Sequence, residues 1–141
     1  DMVETMIAGI KKEEIHIKKS NSLADFINED YPYYTDPMPN LYFTRDPGAC
    51  VGNGISIHCM RNKARKRESL MLKYIHLYNK TFMPEGTEKW YDYEGPNPIE
   101  GGDILVLSPQ IVAVGLSQRT SADAIEVFAE RLLNRSGSFR K

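Results

Sequence analysis

The chain has 141 residues, 41% hydrophobic and 26% charged, values that suit one modest globular unit with a core. Lys and Arg number 18 against 19 Asp and Glu, a net charge of −1, which offers no general field for nucleic acid or an anionic membrane. The apolar runs are far too short to span a bilayer.

The first stretch, DMVETMIAGIKKEEIHIKK, is mixed and charged and does not read as a signal peptide. It opens on Asp1, so the chain is read as beginning partway through something longer, or after processing. Residues 1–36 read as peripheral. Val3, Met6 and Ile7 have helical spacing, with Gly9 where a C-cap belongs, and Leu23, Phe26 and Ile27 repeat that spacing on a short second helix. YPYYTDPMP, residues 31–39, reads as an extended connection.

Leu41 to Arg45 suits a packed strand, which runs into the adjacent charges Arg45 and Asp46 and is broken at Pro47 and Gly48. Residues 51–60, VGNGISIHCM, read as a second strand behind an Asn-Gly turn. RNKARKRESLMLKYIHLYNK then reads as a helix with an apolar face of Met60, Ala64, Met71, Tyr74, Ile75 and Tyr78. A loop containing MPEGTE leads to Trp90. Ile104–Leu107 and Ile111–Leu116 read as a tight hairpin buried on both faces. Thr120 is the expected N-cap of a last helix, with Asp123 in its first turn and Ile125, Phe128, Ala129, Leu132 and Leu133 on one face. The order β-β-α then β-β-α gives an α/β class with mixed sheets and a hint of repetition.

Cys50 and Cys59 show neither C-x-x-C pairing nor zinc spacing, and the default setting is reduced and cytoplasmic. His16, His58 and His76 are scattered, so no metal site is expected.

Four local features can carry chemistry. Arg45-Asp46-Pro47 ends the apolar run; its plain reading is a turn with a surface ion pair. In IEGGD, Glu100 and Asp103 flank two glycines that let a ligand approach the backbone; the plain reading is a polar turn. MRNKARKRE is a basic run at a helix start, either an anion site or a solvated face. A nucleic-acid site would need a wider basic surface and stacking aromatics. In GLSQRTS, Arg119 falls between a strand and a helix start, a habitual ligand position or else plain loop support. Asp46 and Glu100 suit a planar guanidinium, held by paired charge-assisted hydrogen bonds, and Arg65 and Arg119 suit a carboxylate. A molecule with one group at each end is arginine.

The motifs NLYFTRDP, GNGISIHCMRNKARKRE, IEGGD and GLSQRTS closely resemble the arginine deiminase family of guanidine-modifying penteins. The resemblance implies a partial pentein α/β-propeller of repeated ββαβ units with a helical N-terminal segment. Residues 1–36 would end a helical insertion, 37–97 form one propeller unit and 98–141 most of the next. It implies hydrolysis of L-arginine to L-citrulline and ammonia through a covalent amidino-cysteine intermediate, in the cytoplasm and without a cofactor. Asp46 and Glu100 match the catalytic guanidinium-binding carboxylates. Asn40, Arg65 and Arg119 match positions around the substrate's α-carboxylate, Leu41 and Phe43 match apolar residues near its stem, and Asp103 matches a supporting acid.

The family's histidine lies in a His-x-Asp motif and its nucleophilic cysteine near the C-terminus. Here His16, His58 and His76 are followed two residues on by Lys18, Met60 and Tyr78, and Cys50 and Cys59 do not match the nucleophile's place. The expectation is an internal, substrate-binding fragment that is inactive alone, binds L-arginine and no nucleic acid or membrane, and self-associates through strands 104–107 and 111–116. The alternative is a non-catalytic binding or interaction module of the same superfamily.

Overall fold

A computed structural model describes residues 1–15 and 31–139, in two compact units, Asp1–Pro39 and Asn40–Lys141. The helix expected around Leu23, Phe26 and Ile27, and His16, lie outside the described residues. In the first unit, helix α1 (Met2–Ala8) is capped by Asp1, whose carboxylate accepts the Val3 N–H at 2.9 Å. Strand β1 (Ile10–Lys11) pairs antiparallel with β2 (Tyr33–Thr35).

The second unit carries the site. Residues 40–47 are turns rather than the expected strand: the Phe43 N–H donates to the Asn40 carbonyl and the Asp46 N–H to that of Phe43. The apolar run therefore corrects to an exposed corner. Tyr42 and Phe43 are 75% and 48% exposed, their ring centroids 4.1 Å apart. Pro39 and Pro47 bracket the segment and withhold two ladder donors, so turning is easier here than pairing.

Strand β3 (Gly48–Val51) and strand β4 (Gly54–Ile57) form a hairpin in which Val51 faces Gly54 across a two-residue turn. Every residue of β4 is buried. Gly54 is required by close approach, since a Cβ there would stand 2.5 Å from the Glu88 carbonyl oxygen and 2.6 Å from the Trp90 ring. A single 3₁₀ turn (Lys63–Arg65) leads into helix α2 (Lys66–Tyr78), and strand β5 (Glu88–Tyr91) returns parallel to β4, giving sheet order β3-β4-β5. The expected apolar face of α2 is not its buried one. Tyr74 and Tyr78 are 52% and 74% exposed, whereas Glu68 and Ser69 are buried. Polar partners decide this: the Ser69 hydroxyl donates to the His58 carbonyl at 2.6 Å, and Glu68 binds Arg65.

After a 3₁₀ turn (Gly101–Asp103), strands β6 (Ile104–Ser108) and β7 (Ile111–Val114) pair as a separate two-stranded sheet. The expectation of burial on both faces fails. Ile104 is buried, but Leu105, Val106, Leu107 and Ile111 are each at least 45% exposed, because the core forms elsewhere. Helix α3 (Ala122–Arg135) packs on β5, and Val51, Trp90, Tyr91, Ile99, Phe128 and Leu132 fill the space between. The Trp90 indole N–H finds the Val51 carbonyl at 2.8 Å, as a buried indole requires. The face of α3 is rotated from the expected one: Ala124, Phe128 and Leu132 are buried, while Leu133 is exposed. The N-cap is Ser121, one residue later than expected, because the Thr120 hydroxyl is engaged elsewhere.

Candidate functional site

Four chain segments converge on an open cleft of about 670 Å³. The turn 40–47 contributes Asn40, Phe43 and Asp46, and the start of α2 contributes Arg65. Glu100, Gly102 and Asp103 come from the loop before β6, and Ser117, Gln118 and Arg119 from the loop before α3. Of the residues singled out in sequence, Leu41 alone is not among the lining residues. Gly102, one of the two glycines expected to let a ligand approach, lines the cleft, and Ser117 and Gln118 are lining residues that the sequence reading did not assign.

Asp46 is held from its backbone. Its carbonyl accepts the Gly101 N–H at 3.0 Å and lies 2.7 Å from His58 Nδ1. Its carboxylate Oδ2 accepts Arg65 Nη1 at 2.8 Å. Oδ1 lies beside Gly102, 3.4 Å from where a Cβ would stand. Gly101 is forced by packing, since a Cβ would fall 2.0 Å from the Arg45 carbonyl oxygen. Arg45 itself turns away from the cleft, donating to the carbonyls of Gly101 at 3.1 Å and Ile104 at 2.7 Å, so it ties the Asp46 turn to the Glu100 loop.

Arg65 is buried and doubly committed. Its Nε and Nη2 donate to both oxygens of Glu68 at 2.9 and 2.7 Å, and Nη1 is left for Asp46. Glu68 first, and then Asp46, hold the guanidinium charge above its already high affinity for the proton. Glu68 was not singled out in sequence. Its signal was there: it stands three residues after Arg65 on a helix, within reach of its side chain.

Glu100 is buried at 3% exposure, yet each of its oxygens has a partner: Oε1 accepts the Arg61 backbone N–H at 3.2 Å and Oε2 accepts Arg119 Nη1 at 3.1 Å. Asp103 organises the loop behind Arg119. Its Oδ2 accepts the hydroxyls of Thr120 at 2.6 Å and Ser117 at 2.7 Å, and the Ser117 oxygen in turn accepts the Arg119 N–H at 3.0 Å. His58 is buried beside Asp46, and burial pushes its imidazole down to about 4 against the pull of the Asp46 carbonyl. Cys50 is exposed, Cys59 is buried, and neither lines the cleft. Among the described residues no cluster of three His, Cys, Asp or Glu could hold a metal ion. Among them no helix is long and apolar enough to cross a membrane.

The cleft thus alternates charge: carboxylates at Asp46, Glu100 and Asp103, guanidiniums at Arg65 and Arg119. Such a wall is suited to a small zwitterion, cation against the acids and anion against the arginines.

The family model for arginine deiminase matches residues 1–141. The arginine deiminase of Limosilactobacillus reuteri is 53% identical over 137 residues, covering 96% of this chain and 33% of that protein. The arginine deiminase of Bacillus cereus strain B4264 is 44% identical over 141 residues, 100% of this chain and 34% of that protein. The chain therefore spans about one third of the length of the curated relatives it matches. Among solved structures, DDAH from Pseudomonas aeruginosa complexed with citrulline matches with a TM-score of 0.52 at 24% identity, over 73% of this chain and 38% of that one. A dimethylarginine dimethylaminohydrolase adduct with 4-chloro-2-hydroxymethylpyridine matches at the same TM-score and identity over 67% and 37%. These likenesses establish a mixed α/β fold of the pentein kind over part of the chain. With its whole length matched, the chain belongs to the arginine deiminase family.

Proposed function

We propose that the chain forms the substrate-binding wall of an arginine deiminase, which hydrolyses L-arginine to L-citrulline and ammonia. One observation carries the reading: Asp46 and Glu100 line the same cleft as Arg65 and Arg119. Asp46 Oδ1 and Glu100 grip the substrate guanidinium, hold its plane and stabilise its charge. Arg119, with Arg65 behind it, receives the α-carboxylate near Asn40. Phe43 covers the aliphatic stem, and Asp103 fixes the Arg119 loop.

The reaction calls for a thiolate that attacks the guanidinium carbon and for a histidine that protonates the departing ammonia. Water then adds to the amidino-cysteine, delivering the oxygen of citrulline and returning the thiolate. No cofactor enters this balance. Both groups belong, on this reading, to segments other than the one described. The chain is accordingly a fragment that binds and does not turn over: the end of a helical insertion over 1–36, a ββαβ propeller unit over 37–97 and most of the next over 98–141. Unpaired cysteines fit a cytoplasmic setting. The exposed, two-stranded β6–β7 sheet offers free strand edges to a second copy.

The test is calorimetric titration with L-arginine, beside a citrulline assay. Asp46→Asn and Glu100→Gln should each weaken binding by about tenfold or more, the scale of one charge-assisted hydrogen bond. Wild-type affinity in both variants would sink the assignment. Turnover by the chain, lost in Cys50→Ser or Cys59→Ser, would overturn the fragment reading. A second reading, a non-catalytic binding module of the same superfamily, is favoured by the absence of either cysteine from the cleft lining. A citrulline assay on a longer chain carrying a downstream His-x-Asp and cysteine separates the two.

A further inference from the structure

Glu100 presents a problem to any incoming cation. It is 3% exposed, and each of its oxygens already accepts a hydrogen bond, Oε1 from the Arg61 N–H and Oε2 from Arg119 Nη1. With Glu100 this buried, a second guanidinium coming onto Oε2 competes with Arg119 for the space beside that oxygen. The two arginines of the cleft differ sharply in their freedom to yield. The Arg65 side chain is 4% exposed and locked by both oxygens of Glu68. The Arg119 side chain is 58% exposed and meets Glu100 through Nη1. It also stands between two openings, lining the 670 Å³ cleft and a second of about 470 Å³ formed with Arg61, Asn62, Glu100 and Gln118. The second opening gives the displaced side chain somewhere to go.

We propose that Arg119 is a resident guanidinium, paired with Glu100 and leaving it by exchange of partners. The incoming guanidinium takes Glu100 Oε2, and Arg119 turns to an anionic group carried by the same ligand. This rests on the reading of the cleft as an arginine site and adds to it. The exchange sets selectivity. A bare guanidinium replaces one ion pair by one ion pair and releases Arg119 to water, so it gains little. A ligand that also bears a carboxylate ends with two pairs where there was one. The loop is built for the purpose: Asp103 anchors Ser117 and Thr120 on either side, so the Arg119 backbone stays fixed while its side chain moves.

The experiment compares methylguanidinium with L-arginine, titrated into wild type, Arg119→Gln and Glu100→Gln, each checked for a native unfolding midpoint in urea. Arg119 is exposed, so its variant is expected to fold. Arg119→Gln should bind methylguanidinium about threefold tighter or more, the size of one partly exposed ion pair, while L-arginine binds it less tightly than wild type. Opposite signs for the two ligands support the exchange, since a plain loss of structure weakens both. Methylguanidinium affinity that Glu100→Gln lowers and Arg119→Gln fails to raise overturns the exchange and leaves the site reading standing. Methylguanidinium affinity that Glu100→Gln leaves unchanged overturns the site reading, and the exchange with it.

Discussion

Glu68 grips Arg65 with both carboxylate oxygens, at 2.9 and 2.7 Å, and thereby decides which nitrogen of that arginine reaches the cleft. The remaining Nη1 meets Asp46 Oδ2 at 2.8 Å, so the buried acid of α2 sets the orientation of the cleft carboxylate from one shell away. Removing Glu68 leaves a buried guanidinium with half its partners. Glu68→Ala should cost about 3 kcal/mol or more in urea unfolding. Glu68→Gln, which keeps one acceptor, should cost less. Equal and small effects in both would mean that Arg65 finds solvent and that Glu68 positions nothing.

His58 makes stability depend on pH. Its imidazole is buried and takes its proton near 4, against an ordinary value of 6.5 in the unfolded chain. Between those values the unfolded state binds more protons, so this contribution is complete above about pH 6.5 and is lost as pH falls toward 4. The whole effect is on the order of 3 kcal/mol. His58→Asn keeps a donor toward the Asp46 carbonyl without the titration. Its unfolding free energy should fall less steeply from pH 6.5 to 4.5 than that of wild type. Parallel slopes would remove His58 as the cause.

Gly101 and Gly102 are neighbours with unequal demands. A Cβ at Gly101 would stand 2.0 Å from backbone, whereas one at Gly102 meets Asp46 Oδ1 at 3.4 Å. Gly101→Ala should lower stability by about 2 kcal/mol or more, because the Arg45 turn must shift. Gly102→Ala should stay close to wild type in thermal unfolding yet weaken arginine binding, since its methyl group sits beside the Asp46 oxygen offered to the ligand. Similar melting temperatures for the two variants would contradict this.

The β6–β7 sheet is the surface for the self-association proposed above. Leu107 is 64% exposed and Leu105 47%. Leu107→Lys should shift sedimentation toward the monomer at high concentration, since a charge on a strand edge opposes pairing. An unchanged distribution, or a monomeric wild type, would point the apolar strands elsewhere.

The helices over 66–78 and 122–135, the hairpin of β6 and β7 and a turn near Asn53, one residue earlier than the expected Asn-Gly pair, were legible because each follows from local spacing and local residue type. So was the charge inventory: an acid on each of two loops and an arginine on each of two helix approaches. Burial was less legible. Periodicity placed Tyr74 and Tyr78 inside and said nothing of Glu68; the structure exposes the tyrosines and buries Glu68, because Glu68 has a buried cation to meet and the tyrosines have no described surface over them. The strand expected at Leu41–Arg45 failed for a similar reason. Its residues suit a strand, but two prolines and Arg45's grip on the Gly101 and Ile104 carbonyls make the segment a corner.

By itself the sequence determined the long helices, the second hairpin, the motifs and the identity of the charged groups, all properties of short windows read against family motifs, but not strand β5 or the corner at 40–47. Only the tertiary structure decided which groups are partners. Asp46 and Glu100 lie 54 positions apart in sequence, and nothing local says that both line one cleft, that the Arg65 side chain is 4% exposed and the Arg119 side chain 58%, or that Asp103 holds Ser117 and Thr120. Those relations depend on long-range packing of β5 against α3 and on hydrogen bonds between distant loops, and electrostatic pairing is settled by distance and burial rather than by residue type.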